Sequence, residues 1–409
     1  MKTHPLSGKI AWCIGLTQLI NWGITFYLLG AFGDAIAHDT AWGQPLIFSG
    51  LTLAMVVMGL VSPVSGRLLA LMGGRKVMQL GALLNGLGCL FLATSHSLDI
   101  YFLAWLVMGI GMRLSLYDAA FAVLVNIGGA TARKSIAQVT LLGGLASVVF
   151  WPIGEGLLNL LGWRWGVGCY CLFALISIAL CISLPDGKEI PDMSPHPPKV
   201  QSGHPSGGDR LKGGLYAALM ALLSFLATGI STHLPLILTS SGVPVLVGAL
   251  WGVGQVSARF GDVVMGSRSS ALGLNLVVGI LLPCCFIIGL VGLTSIVGTG
   301  LFVLGYGAIN GLSTLVRATL PLTLFEPHLY ASRMGTLLMP SFFLSALAPS
   351  LYASFRERFG DTGMLVISLG LACIAAIIAI VIYLIGTGKR ALKVAPVDVT
   401  SNGDGEASS

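Results

Sequence analysis

Long apolar runs, repeated along nearly the whole chain, restrict this sequence more than any other feature. A bilayer core needs about 20 mostly apolar residues per helical crossing. Runs of that length start near Ile10, Leu46, Val77, Leu98, Ile136 and Trp165, and again near Leu215, Val243, Leu272, Ser295, Thr336 and Gly363. Hydropathy thus predicts about twelve crossings in an all-α membrane protein. Composition agrees, with 55% of the 409 residues hydrophobic and 9% charged, against about 25% charged in soluble domains. The first run carries Gln18 and Asn21 and leads into further spans, so it is expected to stay as the first helix rather than act as a cleaved signal. All eight cysteines sit in or beside apolar runs without metal-ligand spacing and read as small buried hydrophobes. No metal or cofactor is expected.

Lysine and arginine favour the cytoplasmic side of short loops. Lys2 and Lys9, then Arg67, Arg75 and Lys76, then Arg133 and Lys134 fall on one side, while the loops around Asp34–Asp39 and Ser95–Asp99 carry none. Lys188, Lys199, Arg210, Lys212, Arg259, Arg268, Arg333, Lys389, Arg390 and Lys393 join the first side; Arg164, Arg356 and Arg358 join the other. Both termini and the central loop are therefore expected in the cytoplasm, in a multi-pass protein of the inner (plasma) membrane. Topology accounts for the net charge of +6, because the cations are parcelled among loops rather than gathered on one face. The bilayer and a small-molecule substrate are the expected partners, and nucleic acid is not.

Residues 185–213, rich in Pro, Gly, Ser and mixed charge, read as a cytoplasmic linker, and 393–409 as a disordered cytoplasmic tail. They delimit an N-terminal six-helix half, 1–184, and a C-terminal one, 214–392. The halves repeat in sequence. "VSGRLLALMGGRK" at 64–76 aligns without gaps on "VSARFGDVVMGSR" at 256–268, pairing Arg67 with Arg259 and Ala70 with Asp262. "LVMGIG" at 106–111 matches "FVLGYG" at 302–307, and "GITFYL" at 23–28 matches "GISTHL" at 229–234. Parallel repeats place a substrate site between the halves, near the bilayer midplane.

These features resemble the major facilitator superfamily over nearly the whole chain outside the linker and tail. The family's loop pattern after its second helix, approximately G-x-L-x-D-x-x-G-R-R/K, is met by Gly66, Leu68, Gly73, Arg75 and Lys76, with Ala70 in place of the Asp and Gly74 in place of an Arg. "LLGGLASVVFWPIGEGLLNLLGWRW" at 141–165 resembles the family's fifth helix. "YGAINGLSTLVRATLPLTLF" at 306–325 resembles the tenth helix of a bacterial branch near the monocarboxylate porters. The resemblance implies a secondary transporter working by alternating access, with an organic anion as the leading substrate class. It also implies that the loop motif latches the halves in an outward-facing state. Gly66, Arg67, Gly73, Arg75, Lys76, Arg259 and Asp262 are the gating residues expected on that basis, with the glycines permitting a sharp reversal and Asp262 retaining the acid lost at Ala70.

Residues at i, i+3, i+4 and i+7 share one helix face, and polar groups recur at that spacing in four runs. The first has Gln18, Asn21, Trp22 and Thr25; the fourth Arg113, Tyr117 and Asp118; the seventh Ser224, Thr228 and Ser231; the tenth Asn310, Ser313, Thr314 and Arg317. In the superfamily these four helices line the central cavity, so Gln18, Asn21, Thr25, Arg113, Tyr117, Ser224, Thr228, Asn310, Thr314 and Arg317 are the candidate substrate-binding residues. Ser and Thr in the seventh run could instead serve as glue between helices.

An arginine in mid-span costs about 2.5–3.5 kcal/mol on insertion scales and generally faces protein or water. Arg113 and Arg317 are such residues, and a guanidinium binds carboxylate in a two-pronged geometry. Either they anchor a substrate, or they belong to an internal ion pair, for example of Arg113 with Asp118 or Glu155. Arg113 and Asp118 lie about 140° apart on a regular helix, so they cannot simply stack. Asp118 and Glu155, the carboxylates within apolar runs, are candidates for proton coupling or for pairing with an arginine. His233 reads as a packing residue. Trp22, Tyr27, Tyr117, Trp151 and Tyr306 could stack on a ring, which keeps open an aromatic nutrient such as a vitamin like riboflavin, beside efflux of amphipathic compounds or a non-transporting sensor. "GYGAING" at 305–311 lies in an apolar run rather than after a strand, and no Walker sequence occurs, so neither ATP drive nor an enzyme is expected.

Overall fold

The computed structural model describes residues 8–185, 207–265, 270–292, 295–326 and 330–394. Among them, nine helical stretches are long and apolar enough to cross a bilayer. Two of these, Arg133–Cys181 with 49 residues and Tyr330–Thr387 with 58, exceed twice the length of one crossing. Each turns at a glycine of positive φ, Gly162 at 74° and Gly360 at 67°, where a side chain would be strained. Each is therefore two crossings, and Ala249–Met265, with 17 residues, completes a set of twelve.

In chain order, α1 is Gly8–Ile24 continued by Leu28–Thr40, α2 is Gln44–Met72, and α3 is Gly74–Ala93. Helix α4 is Leu98–Ser115 continued by Tyr117–Gly128; α5 is Arg133–Gly144 continued from Ala146 to Gly162; α6 runs from Trp163 to Cys181. The second half has α7 at Gly207–Ser240, α8 at Ala249–Met265, α9 at Ala271–Gly292 and α10 at Ile296–Leu324. Helix α11 is Tyr330–Leu337 continued from Met339 to Gly360, and α12 runs from Asp361 to Val394. The repeat shows in local chemistry: Ser97 and Ser295 cap α4 and α10 alike, each hydroxyl accepting from the backbone N–H three residues on.

Two expectations shift. Residues 207–213, expected in the linker, already belong to α7; 186–206 and 395–409 lie outside the described residues, as do Lys2, Lys188, Lys199 and Arg268. Cys284 and Cys373 are exposed on apolar helix faces rather than buried, whereas Cys89, Cys181 and Cys285 are buried.

The halves meet most closely at the end where Arg67, Arg75, Lys76 and Arg133 cluster, here termed the basic end. There α2 and α11 approach with backbone against backbone: a methyl group on Gly66 would lie 2.6 Å from the Ala331 carbonyl oxygen, and one on Gly335 would strike the Ser62 carbonyl. Only glycine permits that approach. Gly335→Leu should lower the thermal unfolding midpoint by the equivalent of about 1–3 kcal/mol of overpacking. Gly168→Leu, where nothing lies within 4 Å, should leave it unchanged in the same assay.

Candidate functional site

Helix α4 breaks in mid-membrane. Leu116 is extended (φ −78°, ψ −172°) between the two helical segments, and the break cancels the angular offset expected between Arg113 and Asp118. Asp118 Oδ2 comes to 3.9 Å from Arg113 Nη1. The same carboxylate takes a two-pronged pair from the other half: Arg317 Nε donates to Oδ1 at 3.0 Å and Nη2 to Oδ2 at 2.9 Å. Arg113 Nε donates to Ser62 on α2 at 2.9 Å, and the Phe342 ring of α11 lies 5.7 Å from the Arg113 guanidinium and 5.2 Å from that of Arg317. Two arginines thus share one carboxylate across the seam, leaving one net positive charge in a site of 3%, 10% and 19% side-chain exposure.

A third intramembrane arginine has no such partner. Arg259, in α8 and 4% exposed, leaves Nε and Nη1 buried without an acceptor, and no ion pair to it occurs among the described residues. Its guanidinium lies across the seam against Gly144, where α5 breaks; a methyl there would collide with Nη1. The Tyr117 hydroxyl of the opposite half lies against the adjacent Gly143, and Trp22 links Tyr117 to Tyr27. Around those tyrosines the N-terminal half gathers aromatic rings: Trp22 lies 5.1 Å from Tyr117 and 5.2 Å from Phe26, and Tyr27 6.1 Å from Trp151. Trp22 Nε1 is also buried without an acceptor.

The polar face expected of α1 turns the other way. Gln18, Asn21 and Thr25 are at most 1% exposed and form a network inside the N-terminal half. Gln18 Nε2 donates to the Ser115 carbonyl freed by the α4 break, at 2.8 Å. Asn21 Nδ2 donates to Ser177 on α6, Asn85 Nδ2 to Asn21 Oδ1 and Ser115 Oγ, and Thr25 to the Asn21 carbonyl. A broken helix leaves backbone groups that must find partners in hydrocarbon, and these side chains supply them. The half-buried face of α1 is instead Trp22, Phe26 and Tyr27.

Elsewhere, Ser224, Thr228 and Asn310 are half-buried and their side chains make no hydrogen bond among the described residues, while Thr314 and Ser313 bond their own helix. Tyr117 donates to the Thr140 carbonyl at 3.2 Å. Tyr306 is 2% exposed and lies in the core of its own half beside Trp251, Phe286 and Phe302, away from the other four aromatics considered for stacking. Glu155 is exposed, so the burial that its proton-coupling role required is absent. His233 Nε2 donates to the Pro349 carbonyl, 2.9 Å away, and the ring stacks on Tyr352. Cavities of about 410 and 370 Å³ lie near His233 and Asp361 and near Asp209 and Arg333; neither is lined by the residues between the halves.

A family model described as the Major Facilitator Superfamily matches residues 14–339. The chain belongs to that superfamily. Human monocarboxylate transporter 6 is 26% identical over 218 residues, which span 47% of this chain and 40% of that protein, well under two thirds of its length. The human organic anion transporter MFSD10 (TETRAN) superposes with a TM-score of 0.69 at 18% identity, covering 92% of this chain and 100% of that one. The proton:xylose symporter XylE, bound to 6-bromo-6-deoxy-D-glucose, superposes at 0.70 with 11% identity, covering 95% and 96%. At such identities the likeness shows the fold, twelve helices in two repeats.

The superfamily loop motif divides into separate jobs here. Gly73 (φ 78°) alone forms the reversal between α2 and α3, while Gly66 serves the contact with α11. Arg67 and Lys76 are exposed, Arg75 half-buried. Arg259 and Asp262, expected in a gating loop, both lie inside α8, because the span continues past the point where charge suggested its end. Asp262, 7% exposed at its side chain, pairs with Arg133 of α5 at 3.5 Å. Sequence reasoning grouped Arg259 with the loop. The cost of an arginine ten residues into a span, already applied to Arg113 and Arg317, was the signal that identifies it. Ala70 is exposed, so Asp262→Asn should loosen the basic end more than Ala70→Asp does. Losing a pair worth about 1 kcal/mol is a fivefold change in the open-to-closed ratio, read as labelling of a cysteine introduced at the basic end of a cysteine-free background.

Proposed function

We propose that this secondary transporter carries a small organic anion, and that Arg259 is its anchor. The observation that carries the reading is the Arg259 guanidinium, held between the halves at 4% exposure with two N–H groups unanswered. Buried charges in membranes are paired or line a pathway, and a carboxylate is the partner whose shape a guanidinium fits with two parallel bonds. Arg113 and Arg317 already share Asp118, so they serve better as the link between halves than as a substrate clamp. Ser224, Thr228 and Asn310 supply unengaged polar groups on the C-terminal half. The names of two similar proteins, an organic anion transporter and a monocarboxylate transporter, point the same way.

Close packing at the basic end, with the outer part of α1 resting on α2, α5 and α6 of its own half, supports an outward-facing state with the basic end in the cytoplasm of an inner membrane. Alternating access then requires Asp118–Arg317 and Arg133–Asp262 to separate. Protons are the proposed coupling ion, acting through Asp118, the buried carboxylate that joins the halves. The test is counterflow in proteoliposomes with labelled monocarboxylates against alcohols and amines of equal size. Exchange of the acids alone supports the reading; exchange of the alcohols or amines at equal rate removes it.

A further inference from the structure

We infer that the anion carried here bears an aromatic ring, an aryl carboxylate rather than a short aliphatic acid; this rests on Arg259 being the anchor. Arg259 Nη1 lies against Gly144 and the Tyr117 hydroxyl against the adjacent Gly143, and Tyr117 and Tyr27 are both members of one continuous aromatic wall. Trp22 stands between them, 5.1 Å from Tyr117 and 6.3 Å from Tyr27. Tyr117 stacks on Phe121 at 5.3 Å with ring planes 9° apart, and Tyr27 meets Trp151 edge-on. The wall is made by helix breaks. The bend in α1 between Ile24 and Leu28 presents Tyr27, and the break in α4 at Leu116 presents Tyr117.

Packing alone does not account for these rings. Trp22, Phe26, Tyr27 and Tyr117 are half-buried and Trp151 is exposed, whereas the polar side chains of the same α1 segment are buried. A helix that turns its amides inward and its rings toward the α4 and α5 segments beside Arg259 has a face built for something apolar that also approaches a cation. The Trp22 indole N–H, buried without an acceptor, is the second independent sign of a missing occupant. A short aliphatic acid bound at Arg259 leaves that donor and the ring faces unmet. An aryl acid meets the rings with its own ring in offset or edge-to-face contact, and where that ring carries a hydroxyl, its oxygen accepts from the indole N–H.

The test compares binding of four acids to the purified full chain by tryptophan quenching and thermal stabilisation: phenylacetate, 4-hydroxyphenylacetate, cyclohexylacetate and propionate. Phenylacetate should bind about tenfold more tightly than propionate and severalfold more tightly than cyclohexylacetate, which has the same bulk without a π face; 4-hydroxyphenylacetate should bind tightest. Trp22→Phe should narrow the advantage of 4-hydroxyphenylacetate over phenylacetate, and Tyr117→Leu should weaken both aryl acids severalfold more than it weakens propionate. Equal binding of phenylacetate, cyclohexylacetate and propionate would overturn the ring inference and leave the anchor standing, provided all three are lost in Arg259→Gln. Binding that persists in Arg259→Gln would overturn the anchor itself, and failure of wild-type protein to bind any of the four overturns both.

Discussion

Replacing Arg259 by Gln is expected to abolish carboxylate uptake while leaving the empty protein as stable as the wild type, or more stable. The two effects have opposite signs because Nε and Nη1 of the guanidinium have no hydrogen-bond acceptor to lose among the described residues. Removing one member of a buried, hydrogen-bonded charge pair costs about 2–5 kcal/mol of binding, which is roughly 30-fold or more in affinity. Removing an unpaired buried cation from the empty transporter relieves about 2.5–3.5 kcal/mol of insertion cost. A purely structural arginine behaves otherwise, since its loss lowers the unfolding midpoint. Measuring uptake and the ligand-free midpoint on the same preparation separates the roles, and a lower midpoint with uptake intact would sink the anchor. Arg259→Lys keeps the charge but not the planar fork, so it should retain partial uptake. Gly144→Ala is expected to mimic the loss without touching the charge, because the added methyl occupies the space of Nη1.

How much of this was legible in the residues depends on the kind of signal. Spans, half boundaries and the repeat follow from hydropathy and from short matches such as 64–76 on 256–268, because lipid imposes a crossing length on every helix. Which face of a helix meets the seam is a different matter. The i, i+3, i+7 spacing of Gln18, Asn21 and Thr25 marks one face correctly, yet that face points into the half, where Asn85, Ser115 and Ser177 answer it. Periodicity reports that residues share a side, not what lies on that side. The same limit explains Asp118. On an unbroken helix it points away from Arg113, and nothing in "RLSLYD" announces the extended Leu116 that brings them together. Neither proline nor glycine marks the break, so it arises from tertiary contacts, chief among them Gln18 capturing the Ser115 carbonyl.

Asp118→Asn is expected to be the most damaging single change in the molecule, and more so than Arg317→Gln. The order follows from the charge left behind. Wild-type protein holds two arginines around one carboxylate. Arg317→Gln leaves Arg113 and Asp118 to pair, at 3.9 Å and with Ser62 still accepting from Arg113. Asp118→Asn leaves two buried cations facing each other across the seam with no anion between them. Breaking a buried pair by removing one partner costs about 3–5 kcal/mol, a large part of the stability of a typical protein, and here the deletion orphans two partners at once. The double variant Asp118→Asn/Arg317→Gln removes one of those cations, so it should recover part of what Asp118→Asn loses. That non-additivity is the mark of a direct interaction. Folded yield in membranes and the unfolding midpoint in detergent read the series. Asp118→Asn at wild-type stability, or a double variant no better than Asp118→Asn, would show that the triad does not hold the halves together. A triad that does hold them must be parted each time the basic end opens, so the two-pronged bond between α4 and α10 sets the cost of leaving the closed state, and the carboxylate that forms it is where a proton would act to lower that cost.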